Sequence, residues 1–279
     1  MSPFILVTSY ILTRSASSIL FTLAEPSLSK WYWEVWFLAD LWSNPILTAL
    51  ALYQKGPVCR NYKHHAYWGL VAVIVSGQYF AYAVALAETD PASFELARNL
   101  SLIPTLTTCH LLFRPVPRMK WIAALIVVLS LIGMQADFTY FASWATFGWL
   151  VLYIGLSVTS DYMIDYYKTD ACFNQHVSIA TDINFIIELV AYFLTVSITW
   201  PTLIWEGWLF TVIRMINNTL YYLALVQGKM HVEALRVAVI PSNVLTLLAQ
   251  TWILGIPFPY TAIPNILLLF IGLFLYRVS

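Results

Sequence analysis

Four arginines lie within strongly apolar stretches of this sequence and are its most distinctive chemical groups. They stand at Arg14, Arg98, Arg214 and Arg236. A guanidinium donates two parallel hydrogen bonds from a planar fork, which suits a phosphate or a carboxylate. An ionisable group inside a membrane costs roughly 2.5–3.5 kcal/mol on insertion scales and almost always faces the interior of a helix bundle. These arginines are therefore candidates either to bind an anionic substrate or to form permanent ion pairs.

Carboxylates in the same stretches offer partners for the arginines. They are Asp40, Asp161, Asp165, Asp182 and Glu188. We predict a structural ion pair between Arg14 and Asp161. Arg98 and Arg236 each follow a glutamate by about one helical turn, so an ion pair within the helix is the alternative to a role in substrate binding.

The composition is that of a chain that crosses a membrane several times. Its 279 residues are 60% hydrophobic and 10% charged, whereas soluble domains are about 45–50% apolar and about 25% charged. Fourteen basic and fourteen acidic side chains cancel, which argues against nucleic acid as a partner. The apolar composition predicts membrane lipid as a partner instead. Cys59, Cys109 and Cys172 have no metal-type spacing, so we expect neither a metal nor a cofactor. The composition argues against soluble enzymes, zinc proteins, disulfide scaffolds and DNA-binding proteins.

Ten apolar segments are long enough to cross a bilayer, which takes roughly 20 residues. They lie near residues 3–23, 35–54, 66–87, 94–113, 119–136, 144–163, 177–198, 207–226, 233–253 and 259–278. We therefore predict an all-α integral membrane protein with ten transmembrane helices.

Basic residues between these segments predict the orientation, because cytoplasmic loops are enriched in lysine and arginine. With ten spans, one side carries Lys55, Arg60, Lys63, Arg114, Arg118, Lys120, Lys168, Lys229 and Arg277. The other side carries Lys30 alone. Both termini are therefore predicted to be cytosolic.

The second half of the sequence resembles the first. The stretch from Glu95 to Thr105 reads ELARNLSLIPT, and that from Glu233 to Ser242 reads EALRVAVIPS. Five spans in each half give the halves opposite orientations, so we predict two inverted five-helix repeats, 1–140 and 141–279, in one transmembrane domain. Inverted repeats are the usual construction of secondary transporters, whose site lies near the middle of the membrane at the repeat interface.

Two prolines hold matching places in the two halves. Pro104 and Pro241 each follow an isoleucine, and each is predicted to kink its helix because proline removes a backbone hydrogen bond. The kink would serve either packing or a hinge for alternating access, and the sequence leaves both open.

Two long stretches of the chain resemble a known family. The run ARNLSLIPTLTTCHLLFRPVPRMKWIAALIVVLSLIGM, from Ala97 to Met134, resembles the fourth and fifth helices of the drug/metabolite transporter superfamily. The run ALRVAVIPSNVLTLLAQTWILGIPFPYTAIPNILLLFIGLFLY, from Ala234 to Tyr276, is similar to that superfamily's last two helices. Within the superfamily the chain looks most like the nucleotide-sugar transporter branch.

This resemblance implies an antiporter that exchanges cytosolic nucleotide sugar for luminal nucleoside monophosphate in the Golgi or endoplasmic reticulum membrane. The GALNK motif of the GDP-mannose subgroup is reduced to Ala-Leu in the stretch from Glu233 to Val237, and Thr181 to Asn184 replace its FYNN motif. The resemblance therefore does not assign the sugar or the base. A carrier for another small organic solute is the alternative. An integral membrane enzyme, of the terpene cyclase or isomerase type, would use buried carboxylates as general acids but gives no reason for two inverted halves.

A nucleotide would need flat rings against its base and polar groups at the edge of that base. The rings could come from Tyr79, Tyr82, Tyr221 and Tyr222. The polar groups at the edge of the base could come from Gln78, Asn184, Asn217 and Asn218. Arg214 lies beside the last two with no obvious acid opposite, so with Arg98, Arg236 and Asp182 it completes the predicted substrate-binding set. The alternative for the tyrosines is an interfacial aromatic belt. The sequence leaves open whether the protein forms a homodimer.

Overall fold

The computed structural model describes most of the chain. The residues described are 3–24, 45–46, 48–49, 53, 62–89, 91–134, 144–167, 173–195, 205–226 and 230–279. Their regular structure is α-helical, with no strand in these ranges. Most of the second predicted span (35–54), Asp40 and the side chain of Tyr222 lie outside the described residues.

Eleven helices can be traced through the described part of the chain. They are α1 (Pro3–Ala24), α2 (Tyr62–Ala87), α3 (Pro91–Asn99), α4 (Leu102–Leu112), α5 (Arg118–Met134), α6 (Trp144–Tyr167), α7 (Phe173–Thr195), α8 (Trp205–Val226), α9 (Val232–Val239), α10 (Ser242–Ile253) and α11 (Ala262–Val278).

Four of the described helical stretches are long and apolar enough to cross a membrane. They are Phe4–Leu23, Lys63–Ala87, Trp144–Tyr166 and Val232–Ile253, the last of which runs through both α9 and α10. The prediction of an all-α membrane protein is confirmed at this level. The count of ten spans and the repeat arrangement stay predictions.

The fourth and ninth predicted spans are each divided into two helices. Between α3 and α4 the backbone turns through Leu100 and Ser101, whose amides donate to carbonyls three residues earlier at 3.1 and 3.2 Å. Between α9 and α10 it turns through Ile240 and Pro241. A proline ring clashes with the carbonyl four residues before it. For Pro104 that carbonyl belongs to Leu100, which lies within the first break. Both breaks therefore have a local cause in the sequence.

Three antiparallel helix pairs form the framework. Helix α1 runs along α8, α2 runs along α6, and α5 runs along α11. The last pair approaches closely at Gly272, where an added Cβ would lie 2.8 Å from Cγ2 of Val127. Shorter contacts join the broken helices to one another, α3 to α10 and α4 to α9. Any larger side chain at Gly272 would force the α5–α11 pair apart.

Basic side chains gather at one end of the bundle, here called the basic end. It carries Lys63, Arg114, Arg118, Lys120 and Arg277, because α2 and α5 begin there and α4 and α11 end there. Contacts fix this arrangement: Nζ of Lys120 lies 5.2 Å from the ring centroid of Tyr276. The ring of Phe113 stacks on that of Tyr162 at 5.0 Å. The opposite end, where α3, α6 and α8 begin, is called the far end. Which side of a membrane each end faces stays a prediction.

Candidate substrate cavity

A cavity lies among the helices and is lined by two walls and the end of α3. The first wall consists of α1, α8 and α9, and the second consists of α2, α6 and α7. The polar lining residues are Tyr10, Arg14, Gln78, Tyr79, Arg98, Asn99, Ser157, Ser160, Asp161, Thr181, Asn184, Arg214, Asn217, Asn218, Tyr221 and Arg236. The four arginines predicted from the sequence therefore meet in one place. Among the described lining residues, Asp161 is the one carboxylate.

The first ion-pair network joins α1 to α3. Nε of Arg14 donates to Oε2 of Glu95 at 2.9 Å, and Nη1 of Arg98 donates to Oε1 of the same carboxylate at 3.0 Å. The hydroxyl of Ser18 also donates to Glu95, whose side chain is 0% exposed. Glu95 thus forms ion pairs with both Arg14 and Arg98, and its side chain is completely buried behind the cavity lining.

The second network crosses the cavity from one wall to the other. Nη2 of Arg236, on α9, donates to Oδ2 of Asp161, on α6. The hydroxyl of Tyr221, on α8, donates to the other oxygen of Asp161. Arg236 also donates to the hydroxyls of Ser101 and Ser157, at 2.6 and 2.7 Å. This network ties together four elements near the helix breaks.

The predicted ion pair between Arg14 and Asp161 is wrong. Arg14 pairs with Glu95, and Asp161 pairs with Arg236. Arg14 and Asp161 occupy matching positions in the two predicted halves. In the structure Arg14 contacts α3 and Asp161 contacts α9, which are the first parts of the two divided helices. The ion pair within the helix, which the sequence left open as the alternative for Arg98, does form with Glu95. Glu233 does not pair with the arginine that follows it but with Arg114 at the basic end.

Two guanidinium groups approach one tyrosine ring. Cζ of Arg98 and Cζ of Arg214 each lie 5.5 Å from the ring centroid of Tyr82. Arg98 is also 5.6 Å from the ring of Tyr153, and Arg214 is 5.1 Å from that of Tyr79. A ring face attracts a cation electrostatically at such distances. Tyr82 does not line the cavity, so it supports the two lining arginines from behind.

The predicted amide residues lie in the walls with partners of their own. Nδ2 of Asn217 donates to Oγ1 of Thr13 at 3.0 Å. Oε1 of Gln78 accepts from the hydroxyl of Ser160 at 2.9 Å. Asn184 accepts from Ser76 at 2.7 Å and donates to Glu188 at 2.9 Å. Asn218 lines the cavity and is partly buried.

Asp182 does not belong to the cavity lining. Helix α7 lines the cavity with Val177, Ala180, Thr181 and Asn184. These follow the three-and-four spacing of one helix face, which leaves Asp182 on the exposed side. The structure therefore does not bring Asp182 together with the other predicted residues at this cavity.

Several polar lining residues, among them Ser157, Ser160 and Asn99, were not in the predicted substrate-binding set. Asp161 was predicted for a structural ion pair instead. Ser157, Ser160 and Asp161 are spaced by three and one along α6 and so share a face. Asn99 closes α3, where its Nδ2 donates to Oδ1 of Asn243 at 2.7 Å. A search for small polar residues on one face of an otherwise apolar segment would have found the α6 group.

Aromatic rings close the cavity toward the far end. This group, here called the aromatic seal, consists of Phe21, Tyr82, Phe94, Tyr153 and Phe210, each at most 2% exposed. Phe21 and Phe210 meet edge to face at 5.6 Å, and Tyr82 meets Phe94 at 4.8 Å. On each contributing helix the seal lies beyond the cavity residues, toward the far end. The lining instead extends toward the basic end, to Val232 and Trp68.

Comparisons with known proteins bear on the fold alone. No protein-family model matches the chain, and no curated protein matches it. A solved structure described only as the crystal structure of a protein is 14% identical, with a TM-score of 0.71. The match covers 99% of this chain and 97% of the other. A protein of similar length thus adopts a similar fold.

Proposed function

We propose that this protein is a secondary transporter that carries an anionic organic solute by alternating access. The observation that carries the proposal is the cavity where four arginines meet: Glu95, behind the lining, pairs with two of them, and Asp161 pairs with a third. Burying several guanidinium groups together is costly unless anions compensate them. A cavity of this charge favours a substrate with a phosphate or carboxylate group.

Helix packing supports the two inverted repeats of the proposal. The repeat would match α1 with α6, α2 with α8, α3 with α9, α4 with α10 and α5 with α11. If the two halves are exchanged under this matching, the α1–α8 contact corresponds to the α6–α2 contact, and the α3–α10 contact corresponds to the α9–α4 contact. All four contacts are observed. The α5–α11 pair becomes itself. With a further span at 35–54, the chain would have ten spans in two five-helix halves.

The closure of the cavity at one end supports alternating access. The aromatic seal unites residues of both walls at the far end, whereas the cavity lining continues toward the basic end. In a transporter the two walls would separate at the far end and meet at the basic end in the opposite state. The breaks between α3 and α4 and between α9 and α10 lie where such a motion needs hinges.

The resemblance to nucleotide-sugar transporters narrows the substrate in this proposal. Such a substrate carries a diphosphate, which suits Arg98 and Arg214, and a base, for which Tyr79 and Tyr221 offer rings at the cavity. The exchanged species would be the matching nucleoside monophosphate. The basic end would then face the cytosol, with both termini, in a Golgi or endoplasmic reticulum membrane.

Uptake into reconstituted vesicles tests the function directly. The purified protein is offered labelled nucleotide sugars of each common base, with vesicles either empty or preloaded with the matching monophosphate. We expect uptake of at least one sugar nucleotide, and faster uptake into preloaded vesicles, because the loaded carrier reorients more readily than the empty one.

Matched arginine variants separate the cavity from general charge effects. Arg214→Ala should abolish uptake, while Arg277→Ala, which removes an exposed arginine at the basic end, should leave uptake unchanged. The nucleotide-sugar assignment is overturned if no sugar nucleotide enters the vesicles above protein-free controls. If Arg214→Ala and Arg277→Ala impair uptake equally, the cavity is not the route that the substrate takes.

A further inference from the structure

The ion pair between Asp161 and Arg236 differs from that between Glu95 and Arg14 in its relation to the cavity. Glu95 is 0% exposed and lies behind the lining. Asp161 and Arg236 both line the cavity, and each side chain is 13% exposed. A ligand in the cavity would therefore reach the second pair and not the first carboxylate.

Arg236 is set up to hold an anion along one edge of its guanidinium. Nη1 donates to Ser101 and Nη2 donates to Ser157 and Asp161. The buried Nε has no hydrogen-bond partner among the described residues. The edge formed by Nε and Nη2 is the one that binds a phosphate or carboxylate with two parallel bonds. Asp161 accepts a hydrogen bond from Nη2 but not from Nε, so it occupies only half of this edge.

We propose that Asp161 is a resident counter-ion, which the anionic group of the substrate displaces from Arg236. This inference rests on the proposed function, because it takes the cavity as the substrate site. In the empty protein Asp161 compensates a buried cation. When the substrate arrives, its phosphate takes the Nε–Nη2 edge, and Asp161 keeps its hydrogen bond from Tyr221.

The displaced carboxylate also limits how tightly the substrate is held. The displaced Asp161, still held by Tyr221, would lie beside the bound phosphate, and the repulsion between the two anions is strong in a low-dielectric site. Asp161 would thus act as a positioning residue that weakens binding and favours release. A purely structural aspartate would have the opposite effect, because its removal would disorder Arg236 and weaken binding.

Binding to the Asp161→Asn variant distinguishes the two roles. Dissociation constants are measured for UMP, CMP, GMP and AMP, and for inorganic pyrophosphate as a probe without a base. For the probes that bind, we expect the dissociation constant to fall about tenfold in Asp161→Asn. The double variant Asp161→Asn/Arg236→Gln should lose this gain. Thr159→Ala, an exposed change on the same helix, should bind as the unchanged protein does.

The outcomes separate this inference from the proposed function. Tighter binding of pyrophosphate alone, with no nucleotide binding to any variant, supports the counter-ion and overturns the nucleotide substrate. Equal or weaker nucleotide binding by Asp161→Asn overturns the counter-ion while the proposed function stands. If no probe binds any variant, the counter-ion and the nucleotide substrate are both overturned. Should Asp161→Asn fold only when purified in pyrophosphate, that rescue supports the inference, and failure of rescue overturns it.

Discussion

Arg98 and Arg214 approach the ring of Tyr82 at the same distance, 5.5 Å from each Cζ to its centroid. They come from different elements, α3 and α8, and both line the cavity. One buried ring therefore holds two cations from opposite parts of the fold within reach of a common ligand. A diphosphate or a carboxylate that met both of them would also connect the two elements.

The ring of Tyr82 is expected to contribute more to substrate binding than its hydroxyl does. Tyr82→Phe keeps the ring face and should bind substrate about as well as the unchanged protein. Tyr82→Leu removes two cation–π contacts, each worth about 0.5–2 kcal/mol, and should weaken binding by about tenfold or more. Titration of both variants with the substrate found by the uptake screen measures the difference. Equal affinities of the two variants would show that the ring does not position the arginines.

Glu95 is expected to be structural. Glu95→Gln leaves two buried arginines without their shared carboxylate, so the free energy of unfolding should fall by about 3–5 kcal/mol. Thermal unfolding of the purified variant in detergent measures this loss. Replacing Glu88, an exposed acid at the far end, by Gln is the comparison and should change stability far less. Normal stability of Glu95→Gln would mean that Arg14 and Arg98 do not depend on this carboxylate.

The network around Glu95 illustrates what one sequence can and cannot predict. The apolar segments, the embedded arginines and the prolines near both helix breaks could be identified because each depends on local composition. Partner choice could not be identified in this way. Arg14 pairs with Glu95 rather than Asp161 because a packing contact between α1 and α3 brings them together across 81 residues of chain. No spacing rule carries that information.

Asp182 marks a second limit of sequence reasoning. A carboxylate in an apolar helix is expected to face inward, yet Asp182 lies on the exposed side of α7. Its neighbour Thr181 lines the cavity instead. A shift of one residue turns a side chain by about 100° around a helix, so the choice between adjacent positions requires knowledge of the helix's packing.

Prolines near the helix breaks are expected to affect transport rate more than binding. Pro241→Ala restores a backbone N–H within the second break and should make the α9–α10 junction more regular. Transport should slow, while the affinity for substrate changes little, because Pro241 does not line the cavity. Parallel measurement of binding and of vesicle uptake checks this. An unchanged rate would assign the break to packing rather than to a hinge.

Opposite ends of the bundle should be accessible from opposite sides of the membrane. With the native cysteines replaced, Arg118→Cys at the start of α5 and Trp144→Cys at the start of α6 introduce exposed thiols at the basic end and the far end. In sealed vesicles of known orientation, an impermeant thiol reagent should label one of them from outside and the other only after permeabilisation. Labelling of both from the same side would mean that the span count between them is wrong.

The contact between Phe21 and Phe210 should hold the cavity closed at the far end. Their rings join α1 to α8 at 5.6 Å, and both side chains are completely buried. Phe210→Ala removes this edge-to-face contact and about 3–5 kcal/mol of burial and packing. In a transporter the loss would favour the state in which the far end is open. A thiol placed in the cavity, as in Asn218→Cys, should then react with an impermeant reagent added at the far end, whereas it is protected when Phe210 is present. Leu209→Ala, which truncates an exposed neighbour on the same helix turn, should leave the thiol protected. If Phe210→Ala lowers the unfolding temperature without exposing the thiol, the aromatic seal is part of the core and not a gate.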